Sequence, residues 1–218
     1  MQYQLRYAWS ILLRLVHWAF ALSIVALVTT GFYIHYPWTN TLIEGGETNF
    51  PVATMRYIHF IAGFVFTGAV LARVYLLIFG NRQERIWSFA PVTPKNIGNF
   101  FHAIKLYLYM AHKHTPRLGH NTLAGLFYII TFIIALLQIA SGFYMLYPES
   151  AFFQKWGYIL MGPQQQGRFL HYLFMWYFII FAFIHVYIVI WNDIVSKEGL
   201  ISSIFNGRKY IPSEPENL

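Results

Sequence analysis

Residues 169–191 read FLHYLFMWYFIIFAFIHVYIVIW, an uncharged apolar run broken only by two histidines, His171 and His185. A helix needs about 20 apolar residues to cross a hydrocarbon core of ~30 Å. Inside such a core every backbone N–H and C=O must find a partner within the chain, so a run of this kind is predicted to be a transmembrane helix. Fourteen residues of helix place His171 and His185 within about 40° of one face and about 21 Å apart along the axis. Working outward, three more runs of this type occupy roughly residues 11–34, 58–79 and 122–146. The expected fold is all-α: an integral membrane four-helix bundle, read as one transmembrane domain over residues 1–218.

The composition agrees. Hydrophobic residues make up 57% of the chain and charged residues 11%, where a soluble domain carries about 25% charged residues. There are no cysteines, which excludes disulfides, thiolate iron–sulfur clusters and thioether-linked haem. The formal net charge is +7. In a soluble protein that would raise nucleic acid as a partner. Here the basic residues stand in the connections between apolar runs, so topology accounts for them and no nucleic-acid partner is read. The first run is too long for the apolar region of a signal peptide and has no small-residue cleavage site after it, so it is read as a span.

Lys and Arg mark the cytoplasmic side of a membrane protein. The N-terminal segment holds Arg6 and Arg14. The 80–121 connection holds Arg82, Arg85, Lys95, Lys105, Lys113 and Arg117, and the tail holds Lys197, Arg208 and Lys209. The other two connections are poorer, with Arg56 beside Glu44 and Glu47 in one and Lys155 and Arg168 in the other. Both termini and the central connection are therefore expected in the cytoplasm. Within that connection, Asn96 to His112 is amphipathic and is predicted to be a helix lying in the cytoplasmic interface. The tail, with Pro212 and Pro215, is expected to be a solvated end.

The two halves of the chain repeat one another. Residues 30–37 read TGFYIHYP and residues 141–148 read SGFYMLYP. Arg56-x-x-His59 matches Arg168-x-x-His171, and Arg73-Val74-Tyr75 matches His185-Val186-Tyr187, both at an offset of 112 residues. Two parallel helical hairpins are expected. The halves differ where it matters: Arg73 stands in place of His185, and Tyr128 in place of His17. Ligands must then pair across the bundle.

Four of the nine histidines fall inside the runs: His17, His59, His171 and His185. Ionisable residues within a membrane are costly and mark function. Neutral imidazole is a haem ligand, and two imidazoles close an iron to other ligands, which suits electron transfer. The expected pairs are His59 with His171 near the outer surface and His17 with His185 near the cytoplasmic one, holding two haems. Each histidine taken singly could instead bridge helices by hydrogen bonding. A zinc or copper ion at one pair and a proton-conducting histidine chain are the other readings. Gly31, Gly63 and Gly142 lie within the runs, where a flat ring or close helix packing would both require small residues.

Arg14-Leu15-x-His17-Trp18 with Thr30-Gly31, and His171-x4-Trp176-x4-Phe181-x3-His185, resemble the two signatures of the b-type cytochrome subunits of membrane-bound nickel–iron hydrogenases. Arg56-x-x-His59, Gly80-Asn81-Arg82, Gly119-His120-Asn121, Asp193-Ile194, Ile201-Ser202 and Asn206-Gly207 extend the resemblance over nearly the whole chain. Ala19 and Tyr172 depart from it. The resemblance implies a subunit of a prokaryotic inner-membrane complex that is not itself catalytic towards hydrogen. It takes electrons from the iron–sulfur small subunit, which partners a large subunit that splits hydrogen. It passes them through two b haems to a membrane quinone. The resemblance to formate dehydrogenase cytochromes points to Asn121, with His120, at the quinone. An alternative use of Asn121 is as a helix cap. Arg73 is read as a haem-propionate ligand or as a snorkelling cation. The small subunit's transmembrane anchor is expected to dock on the lipid-facing surface. Cytochrome subunits of formate dehydrogenase or thiosulfate reductase, a stand-alone carrier like cytochrome b561, and a purely structural anchor are the competing readings.

Overall fold

A computed structural model of the chain describes residues 3–38, 51–85, 93–108, 110 and 122–212. In chain order the elements are β1 (Tyr3–Tyr7), α1 (Ile11–His35), α2 (Pro51–Phe79), α3 (Pro94–Tyr107), α4 (Thr122–Leu146), α5 (Ala151–Met161), α6 (Gln164–Ser196), α7 (Leu200–Asn206) and β2 (Arg208–Pro212). Four of these, α1, α2, α4 and α6, are long and apolar enough to cross a membrane. Large apolar side chains such as Leu22, Leu71 and Phe183 stand exposed on them, a surface that water would not tolerate and lipid does. The protein is an all-α, multi-pass membrane protein.

The helices outrun the apolar runs. α2 begins at Pro51 rather than 58, and α6 extends from Gln164 to Ser196 rather than over 169–191. Hydropathy stops at Arg56 and at the Gln164–Arg168 segment. The helical hydrogen-bond ladder does not stop there, because polar side chains can lie along the helix and reach the interface.

The chain divides into two compact units. The first comprises Met1–Leu15, Ala72–Ile134 and Ile180–Leu218. In it β1 and β2 pair antiparallel, from Tyr3 opposite Pro212 to Tyr7 opposite Arg208. Gly207 O accepts from both Ala8 N and Trp9 N, at 2.8 and 3.2 Å. Ala8, Trp9, Leu13 and Leu76 form a buried apolar cluster. Glu84, 1% exposed, accepts from Ser10 N at 3.0 Å and from Asn81 N at 2.9 Å. Ser10 Oγ in turn accepts from Leu13 N at 3.1 Å and caps α1.

The expectation of a solvated tail is corrected here. Residues 200–212 form α7 and β2, and Lys209 is buried against Glu198, Nζ to Oε2 2.8 Å. Asp193 Oδ1 accepts from Leu200 N and starts α7. The tail read as solvated because it is short, polar and proline-containing; pairing with β1 supplies the partners it lacks alone. Pro215 lies outside the described residues. The amphipathic helix of the central connection is α3. Thr93 caps it, accepting from Asn96 N at 3.2 Å, and Pro94 stands in its first turn. Ile97, Phe101 and Leu108 make an exposed apolar stripe, while Ala103 is buried. His112 lies outside the described residues.

The second unit comprises Val16–Leu71 and Ala135–Ile179. Phe66 of α2 packs edge-on against Phe20 of α1 and Phe178 of α6, ring centres 5.3 and 5.8 Å apart. A helix not foreseen from the sequence, α5, follows α4. Its Gly157 lies against the Tyr144 ring so closely that a Cβ there would come within 2.2 Å of it. Tyr144 Oη donates to Gly162 O at 3.1 Å. Gly162 ends α5 with φ 75°, which favours glycine. Gln154 and Gln164 both donate to Tyr144 O, at 3.0 and 3.2 Å, and Gln164 Nε2 donates to Gln154 Oε1 at 2.8 Å. This network turns the chain from α4 through α5 into α6.

Candidate functional site

The second unit brings two of the four predicted histidines together. His59 of α2 and His171 of α6 face one another with ring centres 6.4 Å apart and planes 58° apart. Both are half-buried. Each is gripped at Nδ1 by a hydroxyl on a neighbouring span. Thr30 Oγ1 of α1 is 2.8 Å from His59 Nδ1, and Ser141 Oγ of α4 is 2.7 Å from His171 Nδ1.

The tautomers follow from proton bookkeeping. A hydroxyl has one proton to give. Thr30 Oγ1 gives its proton to Ala26 O, at 2.6 Å, and Ser141 Oγ gives its own to Gln138 O, at 2.9 Å. With the protons so placed, each oxygen is set to accept from Nδ1–H of its ring. That leaves the Nε2 lone pair of each ring as the electron donor, the form in which histidine binds a metal.

The arrangement fits an iron held between the two rings. Metal–imidazole bonds are about 2 Å, so rings this far apart would have room for one ion held by a nitrogen of each. Gly31 and Gly142 flank the rings. A Cβ on Gly31 would stand 3.5 Å from His59 Cε1 and 3.6 Å from Met175 Sδ, and one on Gly142 would stand 3.6 Å from His171 Cε1. A larger side chain at either would enter the space beside the imidazoles. Gln138 of α4 points its Nε2 at His171 Nε2, 3.1 Å away, and its Oε1 is buried without a hydrogen-bond partner. A buried amide half-satisfied in this way marks a polar site rather than plain packing. Among the described residues no three His, Cys, Asp or Glu side chains converge as a metal cluster, whereas zinc takes three or four protein ligands.

The other sequence candidates are placed as follows. His17 of α1 belongs to the second unit and meets Trp18 edge-on, ring centres 5.6 Å apart. His185 of α6 belongs to the first unit, stacked on Phe181 at 5.6 Å and edge-on to Tyr128 at 6.2 Å. Arg73 donates from Nη1 to Glu84 O at 3.1 Å. A Cβ at Gly63 would reach only Leu27 Cδ2, at 4.0 Å, so close helix contact does not require glycine there. His120 and Asn121, the candidate quinone residues, lie outside the described residues.

Sequence reasoning missed Gln138, Thr30 and Ser141 as neighbours of the ring pair. The first had a usable signal, since it is the single amide in the apolar run over 122–146 and intramembrane polar groups are costly. The hydroxyls had a subtler one: Thr30-Gly31 and Ser141-Gly142 occupy the same place in the two repeats.

A family described as prokaryotic cytochrome b561 matches residues 8–207 of this chain. The chain is 34% identical, over 92% of its length and 87% of the relative's, to a probable Ni/Fe-hydrogenase B-type cytochrome subunit of Azotobacter chroococcum mcd 1. The Azotobacter vinelandii protein of that description is 32% identical over the same shares. A probable Ni/Fe-hydrogenase 1 B-type cytochrome subunit of Escherichia coli (strain K12) is 30% identical, over 92% of this chain and 89% of the relative.

Proposed function

The chain belongs to the prokaryotic cytochrome b561 family, and from that premise we propose that it is the electron-transfer subunit of a membrane-bound nickel–iron hydrogenase, carrying electrons across the inner membrane to a quinone. The family supports a membrane cytochrome b. The hydrogenase assignment draws on the relatives' names and on the ordered motifs of the chain. The observation that carries the site is the symmetric grip of Thr30 on His59 and Ser141 on His171, two rings whose centres stand 6.4 Å apart.

In this reading His59 and His171 hold an outer haem b, and His17 and His185 hold an inner one. Bound there, the haems supply reversible one-electron chemistry, while the protein supplies spacing and orientation. Gly31 and Gly142 keep the ring faces accessible, and Gly63 leaves room in α2. Arg73 has one guanidinium nitrogen on Glu84 O; its remaining donors suit a haem propionate. His120 and Asn121 are assigned to the quinone carbonyls on the cytoplasmic side. The distribution of Lys and Arg supports cytoplasmic termini. The partners are the hydrogenase small subunit with its membrane anchor and, through it, the large subunit.

Hydrogen added to native membranes tests this, with the visible spectrum and a pyridine haemochrome assay as readouts. Rapid reduction of b haem, lost on replacing His17, His59, His171 or His185 by Ala, is expected. Haem reduced by formate but not by hydrogen would assign the chain to a different complex. Absence of haem would overturn the reading.

A further inference from the structure

The two hydroxyls do more than hold rings in place. Thr30 is 4% exposed and Ser141 fully buried, so water does not substitute for either. Each lies within donating distance of a carbonyl of its own helix, and with its proton placed there it acts on its imidazole as an acceptor. A hydrogen bond from Nδ1–H to such an acceptor shifts electron density towards Nε2 and makes it a stronger donor. A stronger donor favours the more highly charged, oxidised iron. A low-dielectric surround strengthens the effect.

Resting on the haem reading of His59 and His171, we propose that Thr30 and Ser141 are paired positioning residues that fix Nε2 as the ligand nitrogen of both rings and lower the reduction potential of the outer haem. Four facts converge on it. The contacts are nearly equal, 2.8 and 2.7 Å. Both hydroxyls give their protons to the backbone of the helix that carries them. Both stand immediately before the glycine that flanks the ring they hold. Both fall at matching positions of the internal repeat, although the two halves have diverged elsewhere at Arg73 and Tyr128. A threonine inside an apolar helix commonly bonds back to the preceding turn. That habit explains the donated proton but not the placement of the oxygen on a histidine of another helix.

The test uses the full chain purified in detergent with its haem. Thr30→Val and Ser141→Ala remove the acceptors; Thr30→Ser and Ser141→Thr keep them. The outer component is identified as the one missing in His171→Ala. Haem per chain is measured by pyridine haemochrome, and the midpoint potential of each component by redox titration. Each hydroxyl removal is expected to change the oxidised-over-reduced preference of the outer component about tenfold, ~59 mV upward for a one-electron couple. The other component stays unchanged and the hydroxyl-keeping variants titrate like wild type. Loss of the outer haem alone from the hydroxyl-free variants, with retention in the conservative ones, would equally support the proposal. Unchanged potentials with haem in place, or an equal shift of both components, would overturn it. A wild-type chain without haem would instead refute the haem reading on which it rests.

Discussion

Trp9 Nε1 donates to Ser203 Oγ at 3.1 Å, joining residues 194 positions apart in the chain. Ser203 Oγ gives its own proton to Leu200 O at 2.6 Å, so the bond runs one way, from indole to hydroxyl. Ser203 is 1% exposed. Ser203→Ala removes a buried acceptor from the indole and is expected to cost about 1–3 kcal/mol. Thermal unfolding in detergent, followed by tryptophan fluorescence, measures it. A Tm equal to wild type would mean the tail does not stabilise the start of α1.

The Lys209–Glu198 pair is buried, with side-chain exposures of 4% and 7%. Removing one partner takes the paired opposite charge away from a buried ion. Lys209→Ala is therefore expected to cost about 3–5 kcal/mol, and Lys209→Met with Glu198→Leu to recover most of it. Comparing the denaturation midpoints of single and double variants decides between a stabilising pair and a merely tolerated one.

Gly157 has no room for a side chain, since the Tyr144 ring would lie 2.2 Å from its Cβ and Tyr144 is itself buried. Gly157→Val is expected to detach α5 from α4 and to lower the yield of monodisperse protein on size exclusion. Gly98 of α3 is the control. Nothing lies within 4 Å of a Cβ there, so Gly98→Ala should stabilise by roughly 0.5–1 kcal/mol through backbone entropy.

A Cβ on Gly142 would stand 3.6 Å from His171 Cε1. Alanine fits at that distance, whereas leucine would drive into the imidazole. On the proposed two-haem reading, Gly142→Leu is expected to lose the outer haem while keeping the inner one. The pyridine haemochrome ratio should fall by half, and Gly142→Ala should hold the wild-type value. Full haem content in Gly142→Leu would place the outer haem elsewhere.

The legible part of this protein is the part that local chemistry dictates. The apolar runs over 11–34, 58–79, 122–146 and 169–191 contain too few charges to stay in water and enough residues to cross a bilayer. In hydrocarbon the helix is the structure that satisfies their backbones. The spacing of His171 and His185 then sets two depths without reference to any neighbour. Contacts between distant segments had no such local signal. Tertiary structure alone put Thr30 on His59, Ser141 and Gln138 on His171, and Glu84 on Ser10, because each depends on which turns of separate helices meet. It also decided that residues 200–212 form a helix and a strand, since β2 exists only by pairing with β1, and that α5 turns on a glycine pressed against Tyr144. Hydropathy reports where a chain leaves water; partners for buried hydroxyls, amides and strand edges are chosen only when the chain has folded back on itself.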